Sequence, residues 1–161
     1  MALSLESPSL VRQKVYNALQ GTNNPSARQR LWWTAAREFF NQWVTQGNAT
    51  LQFIPFSEAD ADDADGTGLA DTACKVYLMY VNKLAASTAN TVKLFDSATV
   101  DTDAATQTLS IPLDAASQEA MLVYPTGFSQ ATGVTVTQHT TIEGSSDGSD
   151  GADGFIVIGA A

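Results

Sequence analysis

Asn41–Phe56, NQWVTQGNATLQFIPF, contains a change of period. Up to Gly47 the apolar residues recur every three or four positions. After Asn48, in Ala49–Phe56, the spacing shortens to two and the run ends around Pro55. A 3.6-residue period belongs to an amphipathic helix, and a two-residue period to a strand that buries one face. The chain therefore divides into a helical region, 1–49, and a β domain, 50–161.

Upstream of the switch, two helices are expected. The first covers about 8–20, with Ser7 as N-cap, Pro8 at the first helical position and Gly21 as the stop. Its apolar stripe is Leu10, Val11, Val15, Ala18 and Leu19. The second covers about 25–46, capped by Asn24, opened by Pro25 and closed by Gly47. Leu31, Ala35, Phe39 and Trp43 form its stripe, widened by Trp32, Ala36 and Phe40. All three tryptophans, Trp32, Trp33 and Trp43, lie here. Burial against the following domain or a neighbouring subunit is their expected use.

Downstream, seven strands are expected: 49–56, 73–82, 90–97, 107–113, 119–125, 132–143 and 154–161. Polar connections separate them, including an acidic loop, 57–72, and a Gly/Ser/Asp loop, 143–154. No helical pattern falls between the strands, which excludes a parallel α/β sheet. The expected fold is mainly β, an antiparallel β-sandwich, jelly-roll-like, preceded by the two N-terminal α-helices. Tyr124–Thr137, YPTGFSQATGVTVT, has no charge in a chain carrying 25 charged residues. It reads as a strand end, a turn at Pro125–Gly127, and a strand whose valines and threonines face opposite sides of a sheet.

At 161 residues and 44% apolar content, the chain fits one domain with a real core. No apolar run is long enough to span a bilayer, and the N-terminus does not read as a signal peptide. The one cysteine, Cys74, excludes an internal disulfide and reads as a small buried hydrophobe. Charge is polarised. Residues 1–50 hold five basic against two acidic residues, net +3, and residues 51–161 hold three lysines against fifteen acids, net −12. Nucleic acid is thus disfavoured as a partner of the β domain, while the basic N-terminal part suits an acidic surface.

Catalytic constellations are missing from the sequence. Asp60, Asp62, Asp63 and Asp65, within the acidic run, are a weak calcium candidate, but the order of an EF-hand loop fails in every frame. Asp147–Phe155, DGSDGADGF, is too short for a calcium-binding glycine/aspartate repeat. His139 is the only histidine, lies in a threonine-rich strand, and has no serine elbow around it. One histidine and one cysteine are too few for a zinc site. The expectation is no enzyme, no cofactor and no metal. Tyr124, Phe128 and Phe155 are the aromatics available for a carbohydrate-binding surface.

TVKLFDSATVDTDAATQTLSIPL (91–113) and the segment 119–159 resemble virion structural proteins of tailed bacteriophages. The likeness lies in cadence: a Lys-Leu-Phe-Asp strand, a polar loop, a strand ending Ile-Pro-Leu, and an apolar strand into a Gly-Phe turn. An Ala-Thr-Gly-Val-Thr-Val-Thr strand, a Gly/Ser/Asp loop and a short final strand follow. The resemblance implies a capsid decoration (cement) protein, located on the virion surface and made in the host cytoplasm. Such a protein would form homotrimers that bind the major capsid protein, with no nucleic-acid or membrane partner. On that reading Trp32, Trp33, Phe40 and Trp43 carry assembly, and Arg28, Arg30 and Arg37 face an acidic surface. The alternative is a carbohydrate-binding or adaptor module of a phage tail or fibre.

Overall fold

The computed structural model describes residues 7–19, 34, 38, 51–56, 67–83, 90–99, 106–113, 118–139 and 153–161. Within them lie a helix α1 (Pro8–Leu19) and eight strands: β1 (Leu51–Phe56), β2 (Thr67–Ala70), β3 (Cys74–Lys83), β4 (Asn90–Asp96), β5 (Thr106–Leu113), β6 (Gln118–Gln130), β7 (Val134–His139) and β8 (Asp153–Ala160). The protein is mainly β, as its two-residue periods predict. Sheet A has the order β1-β8-β3-β6 and sheet B the order β2-β7-β4-β5. Every pairing is antiparallel.

The pairing is nested. The first strand pairs with the last, β2 with β7, β3 with β6 and β4 with β5. The chain thus forms one long hairpin, and β8 beside β3 and β7 beside β4 close it into two sheets. The sheets share one core. Ile54, Phe56, Cys74, Val76, Met79, Val81, Ile156 and Ile158 come from sheet A, and Leu69, Ala70, Val92, Leu94, Ile111, Leu113, Val134 and Val136 from sheet B.

Two expectations are corrected, and a third falls mostly outside the described residues. The described residues contain eight strands rather than seven, because Thr67–Ala70 of the expected acidic loop pairs with β7 and buries Leu69 and Ala70. Four residues are too few to display a period. The turn expected at Pro125–Gly127 lies inside β6, which continues through it. Of the two helices, one is described, and it ends at Leu19. The second, expected over 25–46, lies outside the described residues apart from Thr34 and Glu38, both helical.

One residue sets the faces of sheet A. Cys74 and Val76 of β3 point into the shared core, and so do Met79 and Val81. Strict alternation would turn 78 and 80 inward instead. Tyr77 is the extra residue: Val76 pairs with Ile158 and Leu78 with Val157, so two steps along β3 match one along β8. A β-bulge of this kind shifts the parity of everything after it. Leu78 and Tyr80 consequently face outward beside Phe155 and Val157.

That outward face is itself a buried apolar layer. Leu51, Leu78, Tyr80, Phe155 and Val157 form a second cluster with Val11 and Val15 of α1, which lies against β1. Phe155 packs on Phe53 and Tyr80, with ring centroids 4.8 and 5.2 Å away. Ser7 caps the helix as expected: its carbonyl accepts from Leu10 N and Val11 N at 3.0 and 3.1 Å, and its Oγ accepts a longer bond from Leu10 N. A 12-residue helix is marginal alone. Val11 and Val15, buried at about 1.5–3 kcal/mol each, hold it to the sheet. The stripe is narrower than the sequence implies, since Leu10 is 48% exposed and Ala18 is also exposed.

The two layers make a direct test. Leu78 and Met79 are adjacent, fully buried and on opposite faces. Each substitution, Leu78→Ala and Met79→Ala, should lower unfolding free energy by about 2–5 kcal/mol in denaturant titrations. A near-neutral Leu78→Ala would refute the outer apolar layer.

Candidate interaction surface

Among the described residues, strands β5 and β6 are the edge strands of their sheets, and they lie on the same side of the two sheets. The shared core reaches the surface between them: Leu109 of β5 and Ala120, Leu122 and Phe128 of β6 pack against it while only half-buried. Outward on β6, Met121 and Val123 are half-buried against the helix-covered layer. The flank is nearly free of charge. Thr106–Leu113 contains no ionisable side chain, and Gln118–Gln130 contains only Glu119 and Tyr124. Glu119 Oε2 accepts a 2.9 Å bond from the Tyr80 hydroxyl across sheet A.

The uncharged Tyr124–Gly127 stretch builds the centre of this flank. Leu78 pairs with Val123 and Val76 with Phe128, so four β6 residues bulge opposite Tyr77. Gly127 makes the bulge possible. Its φ of 68° is left-handed, and a Cβ there would meet the Tyr77 ring at 2.9 Å and Lys75 Cβ at 3.0 Å. Beside it Tyr124 and Phe128 pack edge to face, centroids 4.7 Å apart. Burial pushes the Tyr77 and Tyr124 phenols above their ordinary pKa, so both remain protonated donors at neutral pH.

Polar bonds tie this flank to the core. Gln130, fully buried at the end of β6, donates through Nε2 to Thr108 Oγ1 at 2.9 Å, and Thr108 donates to the Leu94 carbonyl at 3.1 Å. This chain links sheet A to sheet B. Asp96, at the end of β4, accepts from the backbone N–H groups of Ala131, Thr132 and Gly133 at 2.9, 2.7 and 3.3 Å and so clamps the β6–β7 turn. Burial opposes its charge, but the three N–H donors and Thr132 outweigh it and lower its pKa. Gly133 lies so close to Ala70 O and Ser97 O that any side chain there would collide with backbone.

The remaining candidates separate cleanly. Cys74 is buried, as expected, and its thiol is pushed up to about 11 by burial and by Asp96, which leaves it unreactive. Phe155 is interior rather than available to a ligand. His139 ends β7, opposite Thr91. Val134 and Val136 face the core while Thr135 and Thr137 face away, as the alternation predicts. Those threonines are nonetheless buried, and Thr135 Oγ1 lies 2.8 Å from the Thr99 carbonyl it donates to. Lys93, on the same face, is 4% exposed, and burial lowers its pKa. No group of metal-ligating side chains occurs among the described residues. Arg28, Arg30, Arg37, Trp32, Trp33, Phe40 and Trp43 lie outside the described residues, as do Asp60, Asp62, Asp63 and Asp65.

Tyr124 and Phe128 are legible in the sequence as aromatics near loops, but Leu109, Ala120 and Leu122 look like residues of ordinary alternating strands. Only their place at two sheet edges exposes them. No family model, curated protein or solved structure matches the chain.

Two substitutions test this geometry. Gly127→Ala should cost about 1–2 kcal/mol through its left-handed backbone and displace the Tyr77 ring, seen as a lower melting temperature and altered tyrosine fluorescence. Asp96→Asn should cost about 1–2 kcal/mol at neutral pH. Because the folded carboxyl pKa is lowered, its contribution is complete above the unfolded value of about 3.9 and fades as pH falls below it. The stability gap between the native chain and Asp96→Asn should therefore shrink in acid. A gap constant from pH 7 to 2 would refute the clamp.

Proposed function

We propose that the chain is a non-enzymatic structural protein of a tailed-phage virion, a capsid decoration protein that binds the major capsid protein and stabilises the head. The observation that carries this reading is the nested pairing of eight strands in the orders 1-8-3-6 and 2-7-4-5. We read this nested pairing as jelly-roll-like, an architecture used by viral capsid domains and some lectins. The resemblance of residues 91–159 to virion proteins supplies the phage setting. An acidic β domain next to a basic N-terminal region suits a protein that docks by one end. Interfaces of roughly 1,600 Å² are typical of such specific assemblies. Repetition of copies over a shell turns modest contacts into avidity. Decoration as a homotrimer belongs to the same proposal.

Replacing Arg28, Arg30 and Arg37 together by alanine should lower occupancy on purified capsids several-fold while the melting temperature stays unchanged. Full occupancy would remove the electrostatic docking from this reading. A tail or fibre module that binds carbohydrate is the second reading, favoured by the half-exposed pair Tyr124 and Phe128. Saturable binding on a glycan array, lost in Tyr124→Ala, would select it over the capsid role.

A further inference from the structure

We propose that Gln130 holds one internal water molecule between the two sheets, bound to its side-chain carbonyl at the end of the shared core. The proposal is independent of the capsid reading. It rests on how the polar atoms at this end of the core are paired.

Gln130 stands on the inner face of β6. Its register partner on β3 is the core residue Cys74, and Phe128, two positions earlier, packs on the same core. The Gln130 side chain is fully buried. Its Nε2 donates to Thr108 Oγ1 at 2.9 Å, but Oε1 is buried too, and among the described residues no donor reaches it. Buried acceptors in folded proteins are generally paired, either with protein or with ordered water. Leaving one unmet costs more than a typical hydrogen bond contributes.

Turning the amide over does not solve the problem. The Thr108 hydroxyl gives its single proton to the Leu94 carbonyl at 3.1 Å, so toward Gln130 it can only accept. Nε2 must therefore face Thr108. Reversing the amide would break that bond and turn two N–H donors inward in place of one acceptor. A donor has to come to Oε1.

The surroundings suit water, which needs about two to four polar partners when buried. Cys74, across the ladder, carries a thiol that burial and Asp96 keep protonated, so it is an S–H donor. Asp96 Oδ2 accepts from the N–H of Ala131, the residue after Gln130, at 2.9 Å. A water donating to Gln130 Oε1 extends the chain Leu94–Thr108–Gln130 toward this thiol and carboxylate. The end of β6 is then tied to both sheets by one polar network. A cation fits less well, because a protonated thiol is not a metal ligand.

A high-resolution crystal structure of the full chain tests this. It should show an ordered water about 2.7–3.0 Å from Gln130 Oε1. In Gln130→Met, which keeps the side-chain length and removes the acceptor, the water should be gone while the strand register is unchanged. A dry Oε1 in the native chain overturns the proposal, as does an S–H bond made directly from Cys74. An ion with contacts of about 2.4 Å overturns it as well, and so does a water that persists in Gln130→Met. If that variant does not fold, water–protein cross-relaxation in NMR of the native chain decides. Transfer from a long-lived water to the Gln130 side-chain amide supports the site, and its absence overturns it. None of these outcomes bears on capsid binding.

Discussion

The extra residue at Tyr77 holds the architecture of sheet A together. Without it, β3 would continue a single alternation and present Leu78 and Tyr80 to the core and Met79 and Val81 to the outside. With it, β3 stays in phase with the uninterrupted β8, so that Val76 meets Ile158 and Met79 meets Ile156 on one face. On the other face Leu78 meets Val157 and Tyr80 meets Phe155. Two central strands thus bury both faces, and α1 covers part of the outer one through Val11 and Val15. An antiparallel sheet can leave one face in water. The described part of this one does not, because α1 covers it.

The same residue links the interior to the surface. The bulge of Tyr124–Gly127 lies opposite Tyr77, and its left-handed glycine is packed under the Tyr77 ring. The bulge keeps β6 paired on both sides of it, which leaves a long edge strand, with Glu119 as its one carboxylate, bordering the core. Gln130 and Thr108 stitch that edge to the other sheet, and Asp96 fixes the turn that follows. The flank is therefore held by polar bonds at its end while its apolar middle faces outward. Among the described residues such a surface offers area and shape rather than reactive groups, and this supports the structural role proposed above.

Much of this was legible beforehand. The antiparallel strands, the Ser7 cap, the buried Cys74 and the alternation of valine and threonine in β7 all follow from local pattern. Each depends on side chains a few positions apart. Three features escaped for physical reasons. β2 is too short to show a period, and its aspartate-rich surroundings mask it. Pro125 and Gly127 are turn residues in most contexts, but here pairing with β3 continues beyond them and turns them into a bulge. The β5–β6 flank has no local signature at all, since an edge strand and a central strand can share one composition.

Sequence by itself determined the class of the protein: strands of period two that must pair antiparallel, preceded by the helix that starts at Pro8, in a chain whose acidic residues concentrate after residue 50. Only the tertiary structure decided which strands pair, that the pairing is nested, and that Tyr77 divides β3 between two apolar layers. It also decided that β5 and β6 end their sheets on the same side. The reason is range. Periodicity, capping and charge act over a few residues and are written locally. Register and edge position arise from contacts between segments as distant as Leu51 and Gly159, where the free energy depends on how whole faces fit.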